Sequence, residues 1–96
     1  MGERQRIHLG YYADLETAVP KLVSGSFANA GQSCIAVQRI FVHESIYGRF
    51  LERFLSATRD IQVGDPEDER TVVGPMISED AAAKVQEWVE EAVRSG

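Results

Sequence analysis

The sequence has little that would lock its fold covalently or hold it in a membrane. It contains one cysteine in 96 residues, which excludes an intramolecular disulfide framework and leaves one free thiol to account for. No apolar run approaches the roughly 20 residues needed to cross a bilayer, and the N-terminus lacks a signal-peptide pattern. The expected location is therefore cytoplasmic. Positive charge is also scarce, with 10 basic residues against 15 acidic ones and a net charge of −5. Residues 1–48 are balanced, so the whole acidic excess falls in residues 49–96. Nucleic acids and anionic membranes both require a basic patch, and neither is expected as a partner. The acidic half reads as solvated helix faces and a polar loop. Repeats and low-complexity tracts are missing, as is any Gly-x-Gly-x-x-Gly turn for a dinucleotide. His8 and His43 stand too far apart, with no further ligand motif, to suggest a metal site.

What remains is ordinary globular material, 44% hydrophobic and 26% charged, sufficient for one small domain. Residues 7–12 predict a short strand, weakened by Gly10. Asp14 is placed to cap a helix whose apolar stripe runs through Leu15, Val19, Leu22 and Phe27. Pro20 removes a backbone donor inside that stripe, so a kink or a later helix start is expected there. Gly31 should end the helix in a left-handed conformation. The β-branched run that follows predicts a buried strand over about 38–43. Ser45 should cap a second helix with Tyr47, Phe50, Leu51, Phe54, Leu55 and Thr58 on its core face. Val63–Ile77 reads as a long loop. Ser78 should cap a third helix, with Ala81, Val85, Trp88, Val89, Ala92 and Val93 on its apolar face. This order predicts an α/β arrangement in which a helix links two parallel strands. So few strands cannot cover both faces of a sheet, and the pattern resembles part of a larger fold.

The chemistry concentrates in Phe27-Ala28-Asn29-Ala30-Gly31-Gln32-Ser33-Cys34. The cysteine follows a glycine-ended helix and precedes a buried strand, a position where a rigid frame can present a reactive side chain. A thiol there attacks electrophiles if its pKa falls below about 8.5. Arg39 and His43 are the nearest cation and imidazole in sequence, and both are expected to point along a strand. Without further information, a lone cysteine beside Ile35, Ala36 and Val37 is more often a small buried hydrophobe than a nucleophile.

Asn29-x-Gly31-Gln32-x-Cys34 followed by Arg39-x-Phe41-Val42-His43 resembles the active-site signature of the NAD(P)-dependent aldehyde dehydrogenase superfamily. Glu44-Ser45-Ile46-Tyr47, Val63-Gly64-Asp65-Pro66 and Val73-Gly74-Pro75-Met76-Ile77 follow in the family's order and spacing, and Ala13-Asp14-Leu15 precedes them. The resemblance spans about residues 11–96. In detail it is similar to bacterial and archaeal enzymes acting on small polar or lactaldehyde-like aldehydes.

The resemblance implies that residues 1–96 are a fragment of the cysteine-bearing catalytic domain, an α/β partial parallel sheet with flanking helices. It implies that Cys34 is the nucleophile, adding to the aldehyde to give a thiohemiacetal whose oxyanion the Cys34 N–H helps to hold. NAD or NADP would accept hydride, and a glutamate-activated water would hydrolyse the resulting thioester to the carboxylic acid. Asn29, Gly31 and Gln32 match positions that support the loop. The family's general-base glutamate should fall at or just before Met1, and Glu3 lacks the Leu-Gly-Gly that follows that residue. The dinucleotide-binding domain and the second oxyanion donor are absent from the sequence, so the chain alone is expected neither to bind NAD(P) nor to turn over. A homo-oligomer is expected of the full-length enzyme, and self-association of the fragment. Three other readings compete: an excised domain stable by itself, a thiol redox sensor using Cys34, and a non-catalytic interaction module. The sensor would normally need a second, resolving thiol.

Overall fold

A computed structural model of the chain describes residues 5–96. Strand β1 (Gln5–Leu9) leads through helix α1 (Leu15–Phe27) and a 3-10 turn (Ala28–Gly31) to strand β2 (Val37–Val42). A second 3-10 turn (Glu44–Ile46) runs into helix α2 (Tyr47–Arg59), and helix α3 (Glu79–Ser95) follows a long irregular segment. The strands pair in parallel, with Ile7 opposite Ile40 and Leu9 opposite Val42. The expected α/β crossover is therefore present, and α1 is its connecting helix.

Both strands begin and end earlier than the sequence suggests. β1 stops at Leu9 rather than running to residue 12, because Ala13 N–H donates to the Gly10 carbonyl (3.0 Å) and closes a turn there. Tyr11 and Tyr12 are left exposed, with their rings edge to face. β2 is shifted by one residue relative to the expected 38–43.

Helix α1 begins where Asp14 caps it: its carboxylate accepts from Glu16 N–H at 3.1 Å and from the Thr17 hydroxyl at 2.8 Å. Contrary to expectation, Pro20 does not delay the start. A helix-interior proline costs about 3 kcal/mol, and here burial of Leu15, Val19 and Leu22 on the same helix offsets that penalty. Gly25 lets α1 approach β2, since a Cβ at that position would lie 3.1 Å from Val37 Cγ2. The core consists of Leu9, Leu15, Val19, Leu22, Ile46 and Phe50, with Ile7, Ile40, Val42 and Phe54 packed against it.

The second helix is not capped by Ser45. His43 Nδ1 instead accepts from Ser45 N–H at 3.1 Å and lies 2.8 Å from the Ser45 hydroxyl, so the imidazole opens the 3-10 turn that leads into α2. The core face of α2 is narrower than its pattern implies. Phe50 is buried and Phe54, Ala57 and Thr58 are half-buried, while Tyr47, Leu51 and Leu55 are exposed. Ser78 caps α3 as expected, accepting from Ala81 N–H at 3.1 Å. The apolar face of α3, however, buries no residue. Helical period marks which face is apolar and says nothing of whether a neighbour covers it. The segment between α2 and α3 is irregular apart from a parallel bridge joining Val63 and Val73.

Candidate active site

Two consecutive turns carry the chain from α1 to β2. The α-helix ends at Phe27, four residues before the expected stop at Gly31. In the first turn Gln32 N–H donates to the Asn29 carbonyl at 3.0 Å. Its central residues, Ala30 and Gly31, have φ of 56° and 74°, and Asn29 at 55° is left-handed too. Two central residues at positive φ are the signature of a type I′ turn, which strongly favours Asn and Gly. Asn29 and Gly31 suit this backbone and Ala30 does not. A left-handed conformation costs an ordinary L-residue about 1–2 kcal/mol. That strain sits at Ala30, in the turn directly before the one that holds the thiol.

The Asn29 side-chain amide donates back to the Gln32 carbonyl at 3.5 Å, so the turn is tied by both backbone and side chain. Asn29 enters this turn through its side chain and its backbone carbonyl, and Gln32 through its backbone N–H and carbonyl. Its side chain borders a cleft of about 460 Å³, together with Ala30, Val85 and the Val73–Ile77 segment.

The second turn presents the cysteine. Ala36 N–H donates to the Ser33 carbonyl at 3.0 Å, which places Cys34 and Ile35 at the two corner positions. Ser33 Oγ also accepts from Ile35 N–H at 3.3 Å. The Ser33 hydroxyl thus makes a turn contact of a recurrent kind, a side-chain oxygen bonding to a nearby backbone N–H. Cys34 is exposed and Ile35 is 73% exposed, while Ala36 is buried and anchors the turn to the body. The buried-hydrophobe reading of the cysteine is thereby removed. Among the described residues no hydrogen bond engages the Cys34 N–H. An amide at this corner is free to donate to a ligand.

The neighbouring charged groups in sequence lie elsewhere. Arg39 is exposed on β2, opposite Arg6 of β1. His43 is engaged with Ser45 and meets the Tyr11 ring at 5.9 Å. The stretch expected at Met1, together with Glu3, falls outside the described residues. No group of His, Cys, Asp and Glu able to hold a metal occurs among the described residues. None of their helices is long and apolar enough to cross a membrane.

Residues 7–96 match the model of the aldehyde dehydrogenase family. The chain is 50% identical over 84 residues to a 3-sulfolactaldehyde dehydrogenase of Priestia aryabhattai, covering 88% of this chain and 18% of that protein. It is 48% identical over 84 residues to a lactaldehyde dehydrogenase of Methanocaldococcus jannaschii, with the same two coverages. Among solved structures, a glyceraldehyde-3-phosphate dehydrogenase of M. jannaschii complexed with NADP superposes with a TM-score of 0.87 at 45% identity, over 99% of this chain and 21% of that one. The chain thus spans about a fifth of the length of the proteins it matches.

Proposed function

We propose, for a chain that belongs to the aldehyde dehydrogenase family, that it supplies the nucleophilic cysteine to an enzyme oxidising a small polar aldehyde to its carboxylic acid with NAD or NADP. Residues 1–96 form part of the cysteine-bearing catalytic domain in this reading. The single observation that carries it is the exposed Cys34 at the corner of a turn braced by Asn29, Gly31, Gln32 and Ser33.

The chain's own share of the chemistry is limited. The thiolate sulfur of Cys34 forms a bond to the aldehyde carbon, and the carbonyl electron pair moves onto oxygen. The Cys34 N–H, which no other group engages among the described residues, donates to that oxyanion. Addition at a fixed corner needs little reorganisation, because the strained turn and the buried Ala36 already hold the backbone.

The described residues do not fit a dinucleotide. The cleft beside Ala30 and Gln32 is walled mainly by Val73, Pro75, Met76, Ile77 and Val85. It offers no glycine-rich turn at a helix N-terminus for a pyrophosphate. Among the described residues no hydrogen bond joins a carboxylate to Cys34. Oxidation and hydrolysis therefore fall to the remainder of a full-length enzyme, and the isolated chain forms no NADH. The names of the similar proteins, lactaldehyde and 3-sulfolactaldehyde dehydrogenases, support a short polar aldehyde.

The test is to exchange residues 1–96 for the matching segment of a full-length relative and compare the chimera with its Cys34→Ala variant. Turnover in the chimera should fall at least about a thousandfold on losing a nucleophile, and mass spectrometry of the quenched chimera should find the acyl group on Cys34. Retention of turnover by the alanine variant would reject the assignment.

A further inference from the structure

His43 sits where strand β2 ends and the chain turns toward α2. Its backbone ties both sides of that corner. The His43 N–H donates to the Leu9 carbonyl at 2.9 Å, and the His43 carbonyl accepts from Ile46 N–H at 3.1 Å. The ring closes the corner, with Nδ1 accepting from Ser45 N–H at 3.1 Å. A backbone N–H can only donate, so Nδ1 carries no proton in this arrangement and the ring hydrogen resides on Nε2. The Ser45 hydroxyl, 2.8 Å from the same nitrogen, then has to donate as well. Just beyond this corner, Ile46 is 2% exposed, and Phe50 in the first turn of α2 is 5% exposed. Both belong to the core, so the corner sets how α2 enters it.

We propose that His43 is a proton-sensitive latch, whose neutral ring holds the entry of α2 and whose protonation at Nδ1 releases it. An imidazolium has donors at both nitrogens and no acceptor. Gaining the second proton therefore breaks the bonds from the Ser45 N–H and hydroxyl and sets one N–H against another. Free imidazole side chains take up that proton at about pH 6.5. The latched fold excludes a proton that the unfolded chain accepts. Its contribution to stability is therefore complete while the ring is neutral, and it is lost as pH falls. The groups that face the ring are few. Tyr11, from the turn after β1, meets it edge to face with centroids 5.9 Å apart. His8 of β1 lines the same cleft and stacks on Phe41 at 4.9 Å. Glu44 is exposed on the 3-10 turn, and among the described residues no ion pair holds the His43 ring in its charged form. The latch stands apart from the catalytic reading of Cys34.

Thermal melts of the chain and three variants at pH 7.5 and pH 5.5 test it. The chain has two histidines, so His8→Gln isolates His43. In both the chain and His8→Gln the melting temperature should fall by about 3–8 °C between the two pH values, the range for losing one helix-entry bond. His43→Asn keeps a side-chain acceptor that does not titrate, and its melting temperature should hold to within about 1 °C. His43→Ala should melt low at pH 7.5 already and no lower at pH 5.5. Nitrogen-15 spectra of the His43 ring in the unaltered chain at pH 7.5 should show Nε2 protonated and Nδ1 bare, a readout independent of how any variant folds. The proposal is overturned by a chain that melts alike at both pH values, or by a response that disappears in His8→Gln. It is equally overturned by His43→Asn falling as far as the unaltered chain, by His43→Ala melting as high as the chain at pH 7.5, or by a proton found on Nδ1 at that pH.

Discussion

Phe50 and Trp88 are both large aromatic residues on the apolar stripe of an amphipathic helix, yet Phe50 is 5% exposed and Trp88 60%. The difference follows from what surrounds each helix. α2 packs on α1, and α1 spans two paired strands, so residues 5–59 close around a shared apolar centre. Residues 60–96 place a helix after an irregular segment and bury no side chain along it. Amphipathic helices thus occur in both regions, and only one of them converts the pattern into burial. Most helical stability in proteins comes from packing an apolar face, so the first region should carry the cooperative unfolding of the chain and the second should contribute little to it.

The largest test of that division is a pair of truncations. Phe50→Ala should cost about 3–5 kcal/mol, as expected for removing a buried aromatic ring. Trp88→Ala in the monomer should change stability by no more than about 0.5 kcal/mol, as for an exposed site. Denaturant titration at low protein concentration measures both, and comparable losses would abolish the distinction between the regions. A smaller effect belongs to the turn that leads out of α1. Gly31→Ala should cost about 1–2 kcal/mol for the left-handed backbone alone, because the added Cβ would stand 3.5 Å from the Ser26 carbonyl oxygen without a clash. Ala30→Gly should gain up to about 1 kcal/mol by relieving the same kind of strain. Thermal melts of both variants check the sign, and a stabilising Gly31→Ala would mean that the turn is not left-handed.

The smallest effect concerns acid. Asp14 and Asp68 both titrate below the usual carboxylate value of 3.8. The Thr17 hydroxyl bond is the main cause for Asp14, opposed by partial desolvation, and the Arg70 guanidinium is the main cause for Asp68. Each depressed carboxyl stabilises the folded form fully above 3.8, and this contribution fades as pH falls through the lower folded value. Because Asp14 caps a core helix and Asp68 belongs to the irregular segment, only the first should register in global unfolding. Melting temperature followed from pH 5 downward should fall less steeply in Asp14→Asn, which keeps a capping oxygen without the titration. Asp68→Asn should leave the curve unchanged. Equal flattening by both substitutions would place the segment inside the cooperative unit.

Much of this fold could be read from residue order, where local chemistry and tertiary packing agree. Asp14 and Ser78 cap the helices they precede, the Val37–Val42 strand falls within one residue of its β-branched run, and the crossover is parallel. Disagreement arises where tertiary context overrides a local rule. Pro20 is tolerated because its helix is anchored on both sides by Val19 and Leu22. His43 caps the turn before α2 although histidine is not a usual cap, and its position beside Tyr11 depends on where β1 stops. Around Cys34, the sequence pointed to the loop and to Asn29, Gly31 and Gln32, but not to how the chain turns. Positive φ is expected of glycine and tolerated by asparagine, so an alanine at φ 56° leaves no mark in composition. Ser33 is not marked in the sequence, because its two bonds depend on the corner it helps to make.

The lone thiol on its exposed corner gives the chain one chemical address. A maleimide dye or a spin label attaches nowhere else, so its signal reports the strand-entry corner and nothing from either helix-rich region. For the same reason, any covalent dimer that air oxidation produces on storage is joined symmetrically through that one sulfur. Its yield measures how readily two such corners can meet.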